Sequence, residues 1–221
     1  MEPQNTNDVP VQAPQPSQSE QREVARKKDE RRRRLKSLTS TVLLIVTAPL
    51  LAIFITSHVF HSYEVDGQSM ETTLQNGDRL IVYKLPKTIA NITGKEYIPH
   101  RWDIIIFDRP AEIAAPNSVK HLIKRVIGLP GERVVVKDGV ITVYNNENPN
   151  GFNPDNGEPY ASGFDRTVGN VDVTVGENEV FVAGDNRNNS TDSRIFGPIS
   201  VDLIVGKATA RFVPVNNMRE L

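Results

Sequence analysis

A stretch without any Asp, Glu, Lys or Arg, residues 38–60, constrains this 221-residue chain more than any other feature. At about 1.5 Å per residue a helix of this length covers about 34 Å, enough to cross a hydrocarbon layer about 30 Å thick. Pro49 lies near its middle, where it would break a soluble helix but is tolerated in a membrane. We therefore predict a transmembrane helix over residues 37–61.

Two other interpretations of the apolar stretch remain open. A cleaved signal peptide usually carries about 7–15 apolar residues near the N-terminus, whereas this stretch is longer and begins well inside the chain. A buried helix of a soluble domain would rarely be followed only by short β-like runs, as it is here. A retained membrane anchor agrees best with the sequence.

The charges before the span are unevenly distributed. Residues 1–21 hold three acidic and no basic residues and are rich in Pro, Gln, Ser and Asn, whereas residues 22–36 hold nine basic and three acidic residues. We interpret residues 1–36 as a disordered basic cytoplasmic tail. A basic run alone can indicate nucleic-acid binding, but beside a span it favours anionic lipid and a cytoplasmic N-terminus. Residues 62–221 are therefore expected outside the cytoplasm.

The remainder of the chain is a series of short apolar runs that are typical of β-strands, with no helical periodicity of useful length. Asp138-Gly139 between two runs predicts a hairpin. We predict an all-β domain over residues 62–221 with a small inserted β subdomain at about 138–178, in which residues 145–165 form a long surface loop. The runs lie at 80–84, 103–107, 122–127, 132–136, 140–144, 171–175, 179–183 and 208–213.

Cysteine is absent, which excludes disulfides, thiolate catalysis and cysteine-based metal sites. The four histidines, His58, His61, His100 and His121, do not have metal-ligand spacing. The formal net charge of −1 argues against a polycation built for nucleic acid. We therefore expect no metal, no cofactor and no nucleic-acid partner.

Lys124 is a charged residue inside an apolar strand, 122–127. Such a lysine usually protects an exposed sheet edge, but it can also be buried. At its ordinary pKa of about 10.4 only about one lysine in 2500 is neutral at pH 7, whereas at a pKa of about 8 roughly one in ten is. A buried Lys124 could therefore act as a general base for a serine hydroxyl.

Four segments, 67–82, 101–110, 120–134 and 184–200, stand in the order and spacing of the sequence boxes of one known family. Together with the preceding span, they resemble the type I signal peptidases, the leader peptidases of bacteria, in their Gram-positive-like branch. The resemblance covers about 38–213, and its most specific part is GDNRNNSTDSRIFGPIS. It implies a membrane-bound Ser/Lys endopeptidase, without a cofactor, that removes signal peptides from secreted preproteins after small residues.

The resemblance also implies roles for particular residues. Ser69 would be the nucleophile and Lys124 the general base, with Ser190 hydrogen-bonded to the lysine. Four charged residues would form ion pairs that hold the site: Asp185, Asp192, Arg194 and Arg125. Four more would contribute to the oxyanion hole or to substrate binding: Gly67, Gln68, Met70 and Ile123.

Four positions depart from the family pattern. Gly67 stands where one branch has a serine that helps to form the oxyanion hole, so backbone N–H groups, that of Ser69 among them, would have to suffice. Thr72 replaces a proline, Trp102 a glycine and Asn188 an aspartate. Of these, Thr72 is the one that could loosen the turn presenting Ser69.

The resemblance further implies where the protein acts and what it contacts. A substrate peptide would lie extended between residues 61–66 and 121–123, with shallow pockets that admit alanine. The expected partners are signal peptides of secreted preproteins, the lipid bilayer and, as a further candidate, the secretion translocon. The expected location is the cytoplasmic membrane, with a single span and the catalytic domain outside the cytoplasm.

Three alternatives compete with this hypothesis. The self-cleaving repressors of the DNA-damage response share a related Ser/Lys domain but are soluble. An ordinary Ser-His enzyme would pair Ser69 with His121. A membrane-tethered β module without activity would bind cell-surface partners instead.

Overall fold

The computed structural model describes residues 18–109, 121–163 and 166–221. The predicted tail residues 1–17, residues 164–165 of the predicted loop, and Pro110 and Lys120 of the sequence boxes lie outside the described residues. The chain divides into two compact units, Met1–Ala52 and Ile53–Leu221. The described part of the first unit is helical.

Helix α1 runs from Gln18 to His58, and its segment Arg31–His58 is long and apolar enough to cross a membrane. The predicted disorder is wrong for residues 18–36, which are helical because residues 22–36 are mostly Arg, Lys, Glu, Ala and Leu, with no Gly or Pro. The helix also ends three residues before the predicted residue 61, since the chain then enters a strand, Phe60–Glu64.

The second unit is mainly β, which confirms the predicted fold class. Its strands are β1 (Phe60–Glu64), β2 (Arg79–Tyr83), β3 (Ile104–Asp108), β4 (His121–Gly128), β5 (Arg133–Lys137), β6 (Val140–Tyr144), β7 (Val171–Thr174), β8 (Glu179–Ala183), β9 (Ile199–Ser200), β10 (Ile204–Val213) and β11 (Arg219–Glu220). The helices are α2 (Leu85–Thr93) and α3 (Ser193–Phe196), with 3-10 turns at Pro159–Gly163, Val201–Leu203 and Val215–Asn217.

The strands form two antiparallel sheets. The larger has the order β1-β2-β10-β3-β4-β8-β9, with β11 paired to β10, and the smaller has the order β6-β5-β7. The predicted hairpin joins β5 to β6, and Asp138 and Gly139 take the positive φ angles, 53° and 84°, that such a tight turn needs. The smaller sheet contains β6 and β7 of the inserted β subdomain predicted at about 138–178, but it also includes β5, which begins before those bounds, at Arg133.

Buried apolar side chains on these strands form three clusters. One lies beneath β2 and the segment after β1, a second lies between β3, β8 and β10, and the third joins the smaller sheet to β4 and β8. Strand β4 contributes to the last two clusters with Val126 and Ile127, on opposite faces. The C-terminal half of β4 therefore packs on both faces against buried apolar side chains, which fixes the position of Lys124 and Arg125 just before it.

Two features of the second unit differ from the sequence interpretation. Helix α2 was not expected; proline lies in its first turn and Gly94 closes it with a φ of 67°. The segment 145–165 is not only a surface loop, because it buries Asp155 and Tyr160. Hydrogen bonds hold both side chains in the interior: the Tyr160 hydroxyl donates to Asp155, and Arg187 donates to Asp155.

Candidate active site

Ser69 and Lys124 meet although they lie 55 residues apart in the chain. Ser69 lies in the turn that follows β1, and Lys124 lies on β4 with only 3% of its surface exposed. Lys124 Nζ is 2.7 Å from Ser69 Oγ and donates a second hydrogen bond of 2.8 Å to the carbonyl of Ile123. Proton transfer between the amine and the hydroxyl needs no further movement at this distance.

Burial lowers the pKa of Lys124 to about 8. The charges of Asp192 and Asp185 act in the opposite direction, and that of Arg194 lowers the pKa slightly further. With a pKa of about 8, roughly one lysine in ten is neutral at pH 7. Neutral Lys124 can accept the proton of a hydroxyl group, which a protonated lysine cannot do.

Hydrogen bonds from two other segments fix the turn that carries Ser69. Asn186 N–H donates to the Ser69 carbonyl at 3.0 Å, and the Asn186 side chain donates to the Gln68 carbonyl at 3.1 Å. Gly67 N–H donates to Asn76 at 2.8 Å, and Met70 is buried in the first cluster. Gly67 has a φ of 112°, which favours glycine at this position.

The Ser69 N–H makes no hydrogen bond within the part of the chain that the structure describes. A backbone N–H without a partner beside a serine hydroxyl can donate to the oxyanion that forms if the hydroxyl attacks a carbonyl group. The oxyanion role predicted for residues 67–70 remains a prediction.

The expected hydrogen bond from Ser190 to Lys124 is not found. Within residues 18–109, 121–163 and 166–221 the buried Ser190 Oγ makes no hydrogen bond of good geometry, but its side chain lies close enough to Asp192 to help lower the pKa of that carboxyl. Lys124 instead uses the carbonyl of Ile123 as its second acceptor. Ser190 therefore lies near the turn that carries Ser69, but it does not orient Lys124 through a hydrogen bond.

Gly184 permits the close packing around Ser190, and the sequence analysis did not single it out. A methyl group at this position would lie 2.2 Å from Ser190 Oγ and 2.4 Å from the Ser69 carbonyl oxygen. Only a residue without a side chain allows the two serine segments to approach this closely. The glycine that opens the box at 184–200 was the available signal.

The four charged residues expected to pair do lie together in two bidentate ion pairs. Arg125 donates to Asp185 at 2.8 and 2.7 Å, and Arg194 donates to Asp192 at 2.8 and 2.7 Å. Burial alone would raise the pKa of Asp192, but the hydrogen bonds and charge of Arg194 hold it below its ordinary value. Asp192 therefore carries negative charge near Lys124.

A third ion pair was missed by the sequence analysis. Arg187, whose side chain is fully buried, donates to both oxygens of Asp155 at 2.5 and 2.6 Å. Its Nε donates to the Gly184 carbonyl at 3.0 Å. The pair therefore ties the inserted subdomain to the loop that contacts Ser69, and nothing in the sequence indicates which acid Arg187 selects.

A groove with a volume of about 280 Å³ leads to Ser69 and Lys124. Residues 63–67 form one wall and residues 121–124 the other, with apolar side chains of Met70, Ile106, Leu122 and Ile123. Within the described residues, β8 pairs with β4 only from Arg125 onward. One edge of residues 121–124 is therefore open to an added strand.

His121 does not contact Ser69 in the described structure. Its Nδ1 lies 3.0 Å from Asp108 Oδ1, and its ring packs edge-on against Tyr63. Of these two neighbours, Tyr63 lines the groove. This arrangement does not favour the Ser-His alternative.

A mainly β unit that holds a buried lysine within hydrogen-bond distance of a serine hydroxyl is an arrangement expected of a serine hydrolase. Residues 38–213 match the sequence profile of the family described as signal peptidase, peptidase S26. The chain belongs to this family, and it is a serine peptidase.

Curated relatives agree with this assignment. Signal peptidase I T of Bacillus subtilis is 37% identical over 84% of this chain and 92% of its own length. Signal peptidase I of Bacillus licheniformis is 34% identical over 83% of this chain and 93% of its own length. A crystal structure of a signal peptidase I from Enterococcus faecalis is 28% identical, with a TM-score of 0.37 over 51% of this chain and 98% of that chain.

Proposed function

We propose that this signal peptidase is a membrane-anchored endopeptidase that cleaves preproteins with a dyad of Ser69 and Lys124. The observation that carries the proposal is the 2.7 Å separation of a buried amine from a serine hydroxyl at the end of an open groove. The family assignment supports the reaction class independently of that geometry.

In the proposed reaction neutral Lys124 takes the proton of Ser69, and Oγ attacks the carbonyl carbon of the scissile bond. The Ser69 N–H stabilises the oxyanion of the tetrahedral intermediate. The protonated amine then donates its proton to the leaving amine, which frees the mature chain and leaves an acyl-enzyme. Water hydrolyses the ester with Lys124 again as the base, which restores Ser69.

The groove supports recognition of an extended peptide. The open edge of residues 121–124 can pair with a peptide backbone, and the residues leading to Ser69 can contact it from the opposite wall. Because backbone pairing does not depend on sequence, selectivity comes from the side-chain pockets. A volume of about 280 Å³, shared along the whole groove, favours small residues beside the cut.

The anchor follows from the segment Arg31–His58 and its flanking charges. Nine basic residues at 22–36 precede the uncharged stretch 38–60 and favour a cytoplasmic N-terminus. The β unit then lies outside the cytoplasm, where a preprotein emerges with its signal peptide still in the bilayer.

Cleavage of a purified preprotein by the full chain in detergent tests the dyad. We expect cleavage after a small residue, seen by N-terminal sequencing of the product, and a loss of at least about 1000-fold in kcat/KM for Ser69→Ala and for Lys124→Ala. His121→Ala is the matched control and should retain most activity. A loss with His121→Ala and retention with Lys124→Ala would favour the Ser-His alternative, and no cleavage by any form would favour a binding module.

A further inference from the structure

Tyr160 of the inserted subdomain lies between two guanidinium groups. Arg125 Cζ is 4.1 Å from the centre of its ring and Arg187 Cζ is 5.9 Å away. Only 6% of the residue is exposed, so solvent screens these contacts little. Neither the dyad nor the proposed mechanism uses Tyr160.

The hydroxyl of Tyr160 adds contacts to a ring that is already buried. It donates to Asp155 Oδ1 at 2.9 Å and lies 3.3 Å from the Pro154 carbonyl. Asp155 is itself held by both Nη groups of Arg187. The ring therefore has a defined orientation before it meets Arg125.

Both arginines contact the loop that supports Ser69. Arg125 holds Asp185 by two hydrogen bonds, and Arg187 donates to the Gly184 carbonyl. The next residue, Asn186, donates its N–H to the Ser69 carbonyl. A short series of contacts therefore leads from the Tyr160 ring to the nucleophile.

Trp102 also contacts Arg125. Its carbonyl accepts a 2.8 Å hydrogen bond from Arg125 Nη1, and its indole donates to the Pro154 carbonyl at 2.9 Å. Its φ of 70° is uncommon for a residue with a side chain. This backbone conformation explains why the related sequences usually have glycine at position 102. The hydrogen bond from the Trp102 indole to Pro154 is a contact to the inserted segment that glycine could not make.

We propose that Tyr160 is a positioning residue of the Ser/Lys site, whose ring holds Arg125 against Asp185 and thereby keeps the loop at residues 184–190 packed on the Ser69 turn. The inference rests on the proposed function. It assigns to the inserted subdomain a part in the geometry of the reaction as well as in folding.

A change at Tyr160 has a specific electrostatic consequence at Lys124. The charged groups that act on Lys124 are Asp192, Asp185 and Arg194. If Arg125 moves away from Asp185, that carboxylate is less neutralised and stabilises the lysine ammonium more strongly. The pH at which activity rises should therefore increase, which a general loss of stability would not produce.

The test uses the full-length chain in detergent with a peptide substrate. For Tyr160→Leu we expect kcat to fall about tenfold, KM to change less than about twofold, and the alkaline rise of kcat/KM to move up by about half a pH unit. Tyr160→Phe keeps the ring and should retain kcat within about twofold with an unshifted profile. If the Leu variant does not fold, Tyr160→Met provides similar bulk without a ring.

Tyr144→Leu is the matched control, because Tyr144 also stacks on an arginine, Arg133, but in an exposed part of the same subdomain. It should leave kcat and the pH profile unchanged. An unshifted profile for the ring-free variants, or equal losses for the Phe and Leu variants, would overturn the role of the ring. Absence of cleavage by the unaltered protein would refute the proposed function itself.

Discussion

Lys124 is the residue whose environment most directly sets the chemistry. Its strand holds it at 3% exposure beside Ser69, and burial lowers its pKa to about 8. The carboxylates of Asp192 and Asp185 oppose this shift, so they limit how far the pKa falls. The amine is therefore neutral often enough to act as a base and remains able to return a proton.

The pH dependence of cleavage follows from this pKa. Because the neutral amine is the base, kcat/KM should be low in acid and rise with pH through about 8. Initial rates between pH 6 and 10 give the inflection, provided that the peptide substrate has no group that titrates in this range. Rates that still rise steeply at pH 10, with no inflection below it, would contradict the assignment of Lys124 as the base.

Gly184→Ala should impair catalysis more than stability. The added methyl would meet the Ser69 carbonyl oxygen at 2.4 Å, so the turn must move, and a displacement of about 1 Å can cost about 100-fold in rate. The expected loss of stability is about 1–3 kcal/mol.

Gly176→Ala is the matched control for this change. There the nearest atom is the flexible carboxylate of Glu179, so we expect nearly full activity. Peptide cleavage and thermal unfolding of the two variants make the comparison. Full activity of Gly184→Ala would show that the close packing is not required.

At the residue scale the sequence allowed prediction of groups that carry their own chemical signal. Lys124 could be singled out as a charged residue inside an apolar run, whereas Ser69 and the Asp and Arg residues of the last box were singled out by the resemblance of their segments to the signal peptidase boxes. Asp155 and Tyr160 could not, since an Asn- and Pro-rich segment is also typical of a solvated loop. Their burial depends on Arg187, a partner that only the tertiary fold selects.

At the scale of elements, strands were predicted well and helices less well. Apolar runs indicated eight of the eleven described strands, and β6 and β8 have the predicted bounds, whereas β1 was missed because its first residues were assigned to the span. Helix α2 was missed because nine residues give too few turns for a clear period, although its proline and Gly94 mark both ends. The start of helix α1 was predicted too late. The high charge content of residues 22–36 was interpreted as disorder, although most of these residues are good helix formers.

At the scale of the whole molecule, the charges and the span define an orientation. The nine basic residues at 22–36 lie on one side of the apolar segment, and the catalytic residues follow it. By the positive-inside rule we propose that the tail lies in the cytoplasm and the β unit on the opposite side.

Because the chain has no cysteine, single cysteines can report this orientation. In intact cells, a maleimide that does not cross membranes should label Lys137→Cys and not Lys28→Cys, whereas both should be labelled after the membrane is made permeable. Both positions are exposed, so access to the side chain is equal in the two variants. The reverse labelling pattern would refute the proposed orientation.

The open edge at residues 121–124 also bears on what happens after the cut. If a leader pairs with this edge as we propose, cleavage leaves those backbone contacts in place, and the leader stays bound after the mature chain departs. We therefore expect the apolar product to inhibit the enzyme. Withdrawal of the leader into surrounding lipid would clear the edge for the next preprotein.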